Sequence, residues 1–403
     1  MTERNLNLAN VPAEEALSKY FSALSGFLKP GAEIIPAEES LERVTCSPVL
    51  ARLSCPHYNA SAMDGIAVKS ASTSGASESN PVTLKIGEDF VYVNTGDPVC
   101  PPYDAVIMIE YVVKLDDERV QIKESASSML HIRPIGENVA AGNLILKEKH
   151  KIRPVDISVL LSGGVKSVEV FTKPRVAIFP TGSELIDLSA LMENENPEEG
   201  KIIESNTRMF EAQVKQAGAE GTRFAPVPDN HDLLKEAVTK AAQNYDMVLI
   251  NAGSSAGTED YTVRVLRDIG EVIVHGVAMK PGKPIILAIV NGKPVIGTPG
   301  YPVSAYISFE TFVLPVLSVL TGRRNTPRQK IEAVLSKSVS SSIDRREYVR
   351  VKLEDVNGKL TASPLARHSG AAMSLVQADG FCIIEQGCDC IEAGAKVIIE
   401  LIN

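Results

Sequence analysis

The chain has no tryptophan, only six cysteines among 403 residues, and no excess of positive charge. Six cysteines are too sparse for a disulfide framework at this length, so reduced structural thiols are the default. Cys46, Cys55 and Cys100 lack the close spacing of metal ligands. Cys382, Cys388 and Cys390 form a loose C-x5-C-x-C group with no histidine or fourth cysteine nearby, which ranks a zinc or redox site well below the structural reading. The formal net charge of -9 argues against nucleic acid or an anionic membrane as the main partner. It leaves room for a small anion, because local loops override the global field. No apolar run is read as reaching transmembrane length, and residues 1–8 lack a signal-peptide core. A cytoplasmic protein is therefore expected. The chain also lacks a Walker loop, a G-x-G-x-x-G fingerprint and any periodic internal repeat.

What is present points to a layered architecture. With 44% hydrophobic residues and 43.3 kDa, about two to four compact units are expected. An N-terminal helix opens at Pro12 and places Ala16, Leu17, Tyr20, Phe21 and Leu24 at helical spacing. A second apolar helix opens at Pro154 and ends at Gly163-Gly164, and it is expected to pack back on the first. Between them, short strands over residues 82–123 describe a small β-rich insertion, while residues 70–81 read as a mobile surface loop or linker. From Pro174 to Leu320 strands and helices alternate, the pattern of a three-layer α/β domain with ligand groups at the strand C-terminal ends. The tail returns to short strands, consistent with a closed or sandwich-like β domain. The fold class expected is multidomain, α+β and α/β. A central three-layer α/β domain is flanked by discontinuous helical and β domains, with a C-terminal β domain. The boundaries are 1–50 with 143–173, 51–142, 174–326 and 327–403.

Residues 249–262, L-I-N-A-G-S-S-A-G-T-E-D-Y-T, organise the chemistry. A buried strand, a glycine-rich turn and a helix expose backbone N–H groups to an anion. Asp260 would repel a phosphate there unless a hard cation such as Mg²⁺ lies between them. An ordinary capped strand-to-helix loop accounts for this stretch alone equally well. Three more loops of the same domain share its character: T-G-S-E (181–184), P-D-N-H (228–231) and G-T-P-G-Y-P (297–302). With the K-P-G-K-P run (280–284) they supply glycines for close approach, acids for a cation, and Lys280 and Lys283 for anionic oxygens. Asp64, in S-A-M-D-G-I-A, is the polar centre of the N-terminal half, and a turn residue before Gly65 is its plain alternative.

The segments S-A-M-D-G-I-A (61–67), P-T-G-S-E-L (180–185), the loop ending G-T-E-D-Y-T, M-K-P-G-K-P (279–284) and P-G-Y-P-V-S-A (299–305) resemble the MoeA family, the molybdopterin molybdenumtransferases. Five separated motifs in order span nearly the whole chain. The resemblance implies an elongated four-domain subunit that forms a homodimer, with one subunit's α/β domain facing small-domain loops of its partner. It implies insertion of molybdate into adenylylated molybdopterin with Mg²⁺ assistance, releasing AMP and yielding the molybdenum cofactor. A separate molybdopterin adenylyltransferase is a further candidate partner.

Carried over by motif, the catalytic set is Asp64, Glu184, Asp229 and Asp260, with Asp229 and Asp260 as the Mg²⁺ ligands. Ligand binding falls to Thr181, Gly182, Gly253, Ser254, Ser255, Gly257, Lys280, Lys283, Pro299 and Pro302. Departures from the family pattern are Ala252 for glycine, Tyr301 for asparagine, Ile66 for an aromatic and Asn138 for aspartate. They leave two alternatives open: a tungstate-specific transferase, and a non-catalytic molybdopterin-binding or scaffold paralogue.

Overall fold

The computed structural model describes residues 10–193, 195–252 and 261–402. The chain forms two units, Met1–Ala32 with Phe171–Asn403, and Glu33–Val170.

The larger unit is built on a six-stranded sheet. Its order is Glu220–Arg223, Arg175–Thr181, Met247–Ala252, Lys293–Pro299, Ile286–Val290 and Glu271–His275. The first four strands run parallel, and Ile286–Val290 is antiparallel to both of its neighbours, so Glu271–His275 runs in the direction of the first four. Alternation explains why the strands read as continuous apolar runs. Val176, Ile178 and Leu249 enter one core with the Asn206–Gln216 helix, while Ala177, Phe179, Val248 and Ile250 enter another with the His231–Asn244 and Tyr261–Ile269 helices. Both faces are covered, so both side-chain parities are apolar. An Asn-Gly pair, a sequence signal for a tight hairpin, closes the two antiparallel strands at Asn291 and Gly292, both with positive φ (51° and 72°), as the turn type requires.

The Ala13–Leu24 helix lies on this sheet, in the same unit. Ala13, Ala16, Tyr20 and Leu24 join the core of Val274, Leu287 and Ile289, and the Tyr20 hydroxyl donates to the Ala288 carbonyl at 2.8 Å. Burying Leu24 alone contributes roughly 1.5–3 kcal/mol. A helix with so complete an apolar stripe needs a broad apolar partner, and the sheet supplies one.

The reading that no apolar run reaches transmembrane length also needs correction. Pro302–Leu320, 19 residues with mean hydropathy 1.7, is long and apolar enough. It is a core element, 72% buried within the protein, with Val303, Phe309, Phe312 and Leu317 in the sheet core.

The tail forms a closed barrel. Arg346–Val356, Lys359–Pro364, Lys330–Leu335, Lys396–Leu401 and Gly380–Ile384 pair in that order, and the last pairs back to the first. Val349, Val351, Leu335, Ala362 and Ile399 fill it. The Met279–Lys280 strand of the α/β part pairs in parallel with Arg346–Val356, which ties the two parts of this unit together.

The smaller unit holds two three-stranded sheets around Ile66, Leu84, Phe90, Ile107, Val120 and Ile122. Gly65 opens the Gly65–Val68 strand because a Cβ there would lie 2.0 Å from the Ile107 carbonyl oxygen. Residues 70–81 are not a linker. Ser70–Thr73 is a short 3₁₀ turn, pinned where the Ser70 N–H and hydroxyl donate to Asp104 at 2.7 and 2.8 Å, and Thr73 is fully buried. Small polar residues here satisfy a packed turn. The Pro154–Ser162 helix is fixed by Asp156, which accepts from the Arg153 N–H at 2.8 Å and guanidinium Nη2 at 2.8 Å, and contacts His150 Nε2 at 2.6 Å.

Candidate active site

Three parallel strands end in line. Thr181, Ala252 and Pro299 are successive register partners, so the loops that follow them leave the sheet side by side at its C-terminal edge. Asn251 locks this edge. It is 4% exposed, and its Nδ2 donates to Thr298 Oγ1 at 3.1 Å and the Pro299 carbonyl at 2.9 Å. Asn206 Nδ2 donates to Asn251 Oδ1 at 3.1 Å and to the Gly300 carbonyl at 2.6 Å, while Thr181 Oγ1 donates to the Asn251 carbonyl at 3.2 Å. The strand ends therefore share one hydrogen-bonded net.

The T-G-S-E and P-D-N-H loops meet here. The Gly182 N–H donates to the Val227 carbonyl at 3.1 Å, and the Ser183 N–H faces Asp229 Oδ2 at 3.4 Å. Gly182 has φ +141°, and a Cβ there would sit 2.5 Å from Glu184 Oε2, so glycine lets that carboxylate fold back over the loop. Asn230, not Asp229, caps the His231–Asn244 helix, its Oδ1 accepting from the Asp232 and Leu233 N–H groups. That leaves the exposed Asp229 carboxylate available to a hard cation as a single ligand. Among the described residues no three His, Cys, Asp or Glu side chains gather as a metal site. The second proposed ligand, Asp260, lies outside the described residues, as do Gly253, Ser254, Ser255 and Gly257.

A cavity of about 560 Å³ opens between the sheet edge and the barrel. Lys280, Lys283, Arg345 and Arg367 line it, and Pro299 and Tyr301 form part of its wall. Pro302 does not reach it; it occupies the first turn of the Pro302–Ser308 helix. Beneath the cations lies Glu347, 2% exposed. Its Oε1 accepts from Arg367 Nε at 2.9 Å and from Arg367 Nη2, and faces Lys280 Nζ at 3.4 Å; Ser341 Oγ donates to Oε2 at 2.9 Å. Burial pushes the Glu347 carboxyl up, but the Arg367 and Ser341 hydrogen bonds and the nearby positive charges outweigh it, and the group stays below its ordinary value. Arg350, 1% exposed, donates to the carbonyls of Ala366 and, at 3.3 Å, His368, on either side of Arg367.

Sequence reasoning missed Arg345, Glu347, Arg350 and Arg367 as site residues. The available signal was a glutamate and an arginine inside Arg346–Val356, a strand whose residues 347–351 are all buried. In the smaller unit, Asp64 is exposed and accepts from the Thr95 N–H at 2.6 Å and Oγ1 at 2.8 Å. Those two bonds hold its carboxyl below the usual range. Thr95 was likewise missed.

Three family models cover most of the chain: "MoeA N-terminal region (domain I and II)" over residues 11–164, "Probable molybdopterin binding domain" over 177–319 and "MoeA C-terminal region (domain IV)" over 332–402. A Methanocaldococcus jannaschii protein named for molybdopterin biosynthesis is 32% identical over 98% of both chains. A molybdopterin molybdenumtransferase of Staphylococcus aureus is 28% identical over 97% of this chain and 95% of its own. Two solved structures of the Pyrococcus horikoshii molybdopterin biosynthesis MoeA protein superpose with TM-scores of 0.82 and 0.75 at 31% and 28% identity. They cover 98% of this chain and 99% and 100% of theirs.

Proposed function

The chain belongs to the MoeA family, and on that premise we propose that it inserts molybdate into adenylylated molybdopterin, releasing AMP and forming the molybdenum cofactor. The observation that carries this reading is the convergence of Lys280, Lys283, Arg345 and Arg367 on one cavity beside the aligned strand ends. An oxyanion and a phosphoanhydride both present negative oxygens, and cleavage of the anhydride adds charge to the departing phosphate. Cations gathered at the cleft stabilise that charge as it develops. The glycine loop after Ala252 would cradle the adenylate with its N–H groups. Glu184 is the remaining acid proposed beside these loops; in the smaller unit Asp64, whose carboxylate is oriented by the Thr95 N–H and hydroxyl, keeps its proposed role as a further acid.

Mg²⁺ belongs to the same proposal. Asp229 with Asp260 would hold it, and it would supply charge neutralisation at the anhydride. A homodimer, a cytoplasmic location and docking to a molybdopterin adenylyltransferase complete the reading; no nucleic-acid or membrane partner is invoked. Tyr301 lines the cavity where the family usually has asparagine, so tungstate stays as the alternative oxyanion.

The test is AMP release from purified protein given adenylylated molybdopterin and Mg²⁺, with molybdate and tungstate in parallel. Release with one oxyanion, abolished in Asp260→Ala and Asp229→Ala, supports the transferase and identifies its metal. Tight pterin binding without release under either condition leaves the non-catalytic binding reading instead.

A further inference from the structure

We propose that Glu347 is the positioning residue of the cationic cavity: a single buried carboxylate that holds Lys280 of the α/β part and Arg367 of the barrel on one shared oxygen, so that both cations are preset for an oxyanion. This rests on the oxyanion reading of the cavity given above.

The carboxylate has little freedom of its own. Glu347 sits in the barrel wall, paired across to Lys280 on one side and Ile384 on the other, so its backbone is fixed by two ladders. Its Oε2 is taken by Ser341 Oγ, which orients Oε1 toward the cations. Lys280 Nζ and the Arg367 guanidinium both meet that Oε1. Lys280 has a side chain 47% exposed and a flexible stem, so without a partner it would sample solvent. Two cations lining one cavity also repel each other. A shared carboxylate offsets that repulsion, and two positive charges less one negative leave the triad at +1. Arg350, three residues along the same strand, holds the backbone on either side of Arg367. One strand thus positions both the head group and the chain that carries it.

A role confined to stability explains this arrangement poorly. A buried ion pair contributes little over a well-packed apolar pair, because desolvating the charges costs about as much as their attraction returns. An apolar residue at position 347 would suit the barrel wall; it would leave Lys280 and Arg367 unplaced.

The experiment is calorimetric titration of the full-length protein with sodium molybdate, tungstate and sulfate, with thermal melting in parallel. The variants are E347Q, E347D, K280M and the double variant K280M/E347Q. E347Q is expected to weaken oxyanion binding by roughly 10–100-fold, with E347D recovering part of the loss. In the K280M background the same change is expected to cost only about threefold, because part of its effect acts through Lys280. If E347Q does not fold, E347D carries the test: weakened binding at an unchanged melting temperature supports the proposal. Binding that is unchanged or tighter in E347Q and E347D, or losses that simply add in the double variant, would overturn it while leaving the proposed function intact. A wild-type protein that binds none of the three oxyanions would overturn the oxyanion reading and this inference together.

Discussion

Lys280 and Glu347 stand opposite each other in a two-residue parallel ladder, and their side chains approach to 3.4 Å. That ladder is where the α/β part hands its K-P-G-K-P run to the barrel. The two ion pairs of Glu347 are unequal. The Lys280 side chain is 47% exposed and the Arg367 side chain 30%, and Arg367 makes two hydrogen bonds to the carboxylate.

Unequal partners predict unequal mutants. K280M is expected to shift stability by no more than about 1 kcal/mol, since a solvent-screened pair contributes little. R367A leaves a buried carboxylate short of its main donor and is expected to cost on the order of 3 kcal/mol. Both should weaken oxyanion binding. Urea denaturation and molybdate titration of the two variants check the contrast, and equal stability losses would contradict it.

Thr95 is expected to matter for activity through Asp64. T95V removes the hydroxyl donor and keeps the backbone N–H, so Asp64 should lose one of the two bonds that orient it, and its carboxyl should sit higher in pKa while staying ionised at neutral pH. The expected outcome is a drop in AMP release of about tenfold with little change in melting temperature. Carboxyl titration by NMR together with the release assay checks both halves.

Asp156 gives a pH prediction. The Arg153 guanidinium, with smaller help from His150 and the Arg153 N–H, holds its carboxyl well below the usual range despite burial. A carboxyl depressed in the folded state stabilises the fold fully above the ordinary carboxylate pKa of about 3.9. That contribution is lost as pH falls through the lower folded value. D156N is expected to be less stable by on the order of 2 kcal/mol at neutral pH. The gap to wild type should hold constant down to about pH 4 and narrow below it. Urea midpoints measured for both proteins across that range test the sign.

Asn251 is the stability test at the site. N251A removes two donated bonds and one accepted bond at a buried position that joins three strand ends. A loss of about 2–4 kcal/mol is expected. N251D keeps the size but puts an acceptor against the Pro299 carbonyl, so it should be no better than alanine. Wild-type melting in N251D would refute the assigned orientation of the amide.

The sequence by itself determined the layered α/β domain, because strands buried on both faces and helices of period 3.6 leave periodic traces that local chemistry can read. It also determined the Asn291-Gly292 hairpin and the strand-rich tail, whose signals lie within a few residues. The loops bearing Thr181, Asp229 and Pro299 were legible as small and polar; the register of three parallel strands then brought the first and last to one sheet edge, and Asp229 meets the Thr181 loop at Ser183. Only the tertiary structure decided which surface the Ala13–Leu24 helix covers, since an apolar stripe specifies burial and not a partner. The same holds for residues 70–81, whose small polar side chains suit a linker and a pinned turn equally well. The cationic cavity is the clearest case. Lys280 announced itself through a motif, but Glu347, Arg350 and Arg367 acquire their roles from a strand pairing between residues far apart in the chain. Long-range pairing leaves no local pattern, so the carboxylate beneath the cations was visible only once the chain was folded.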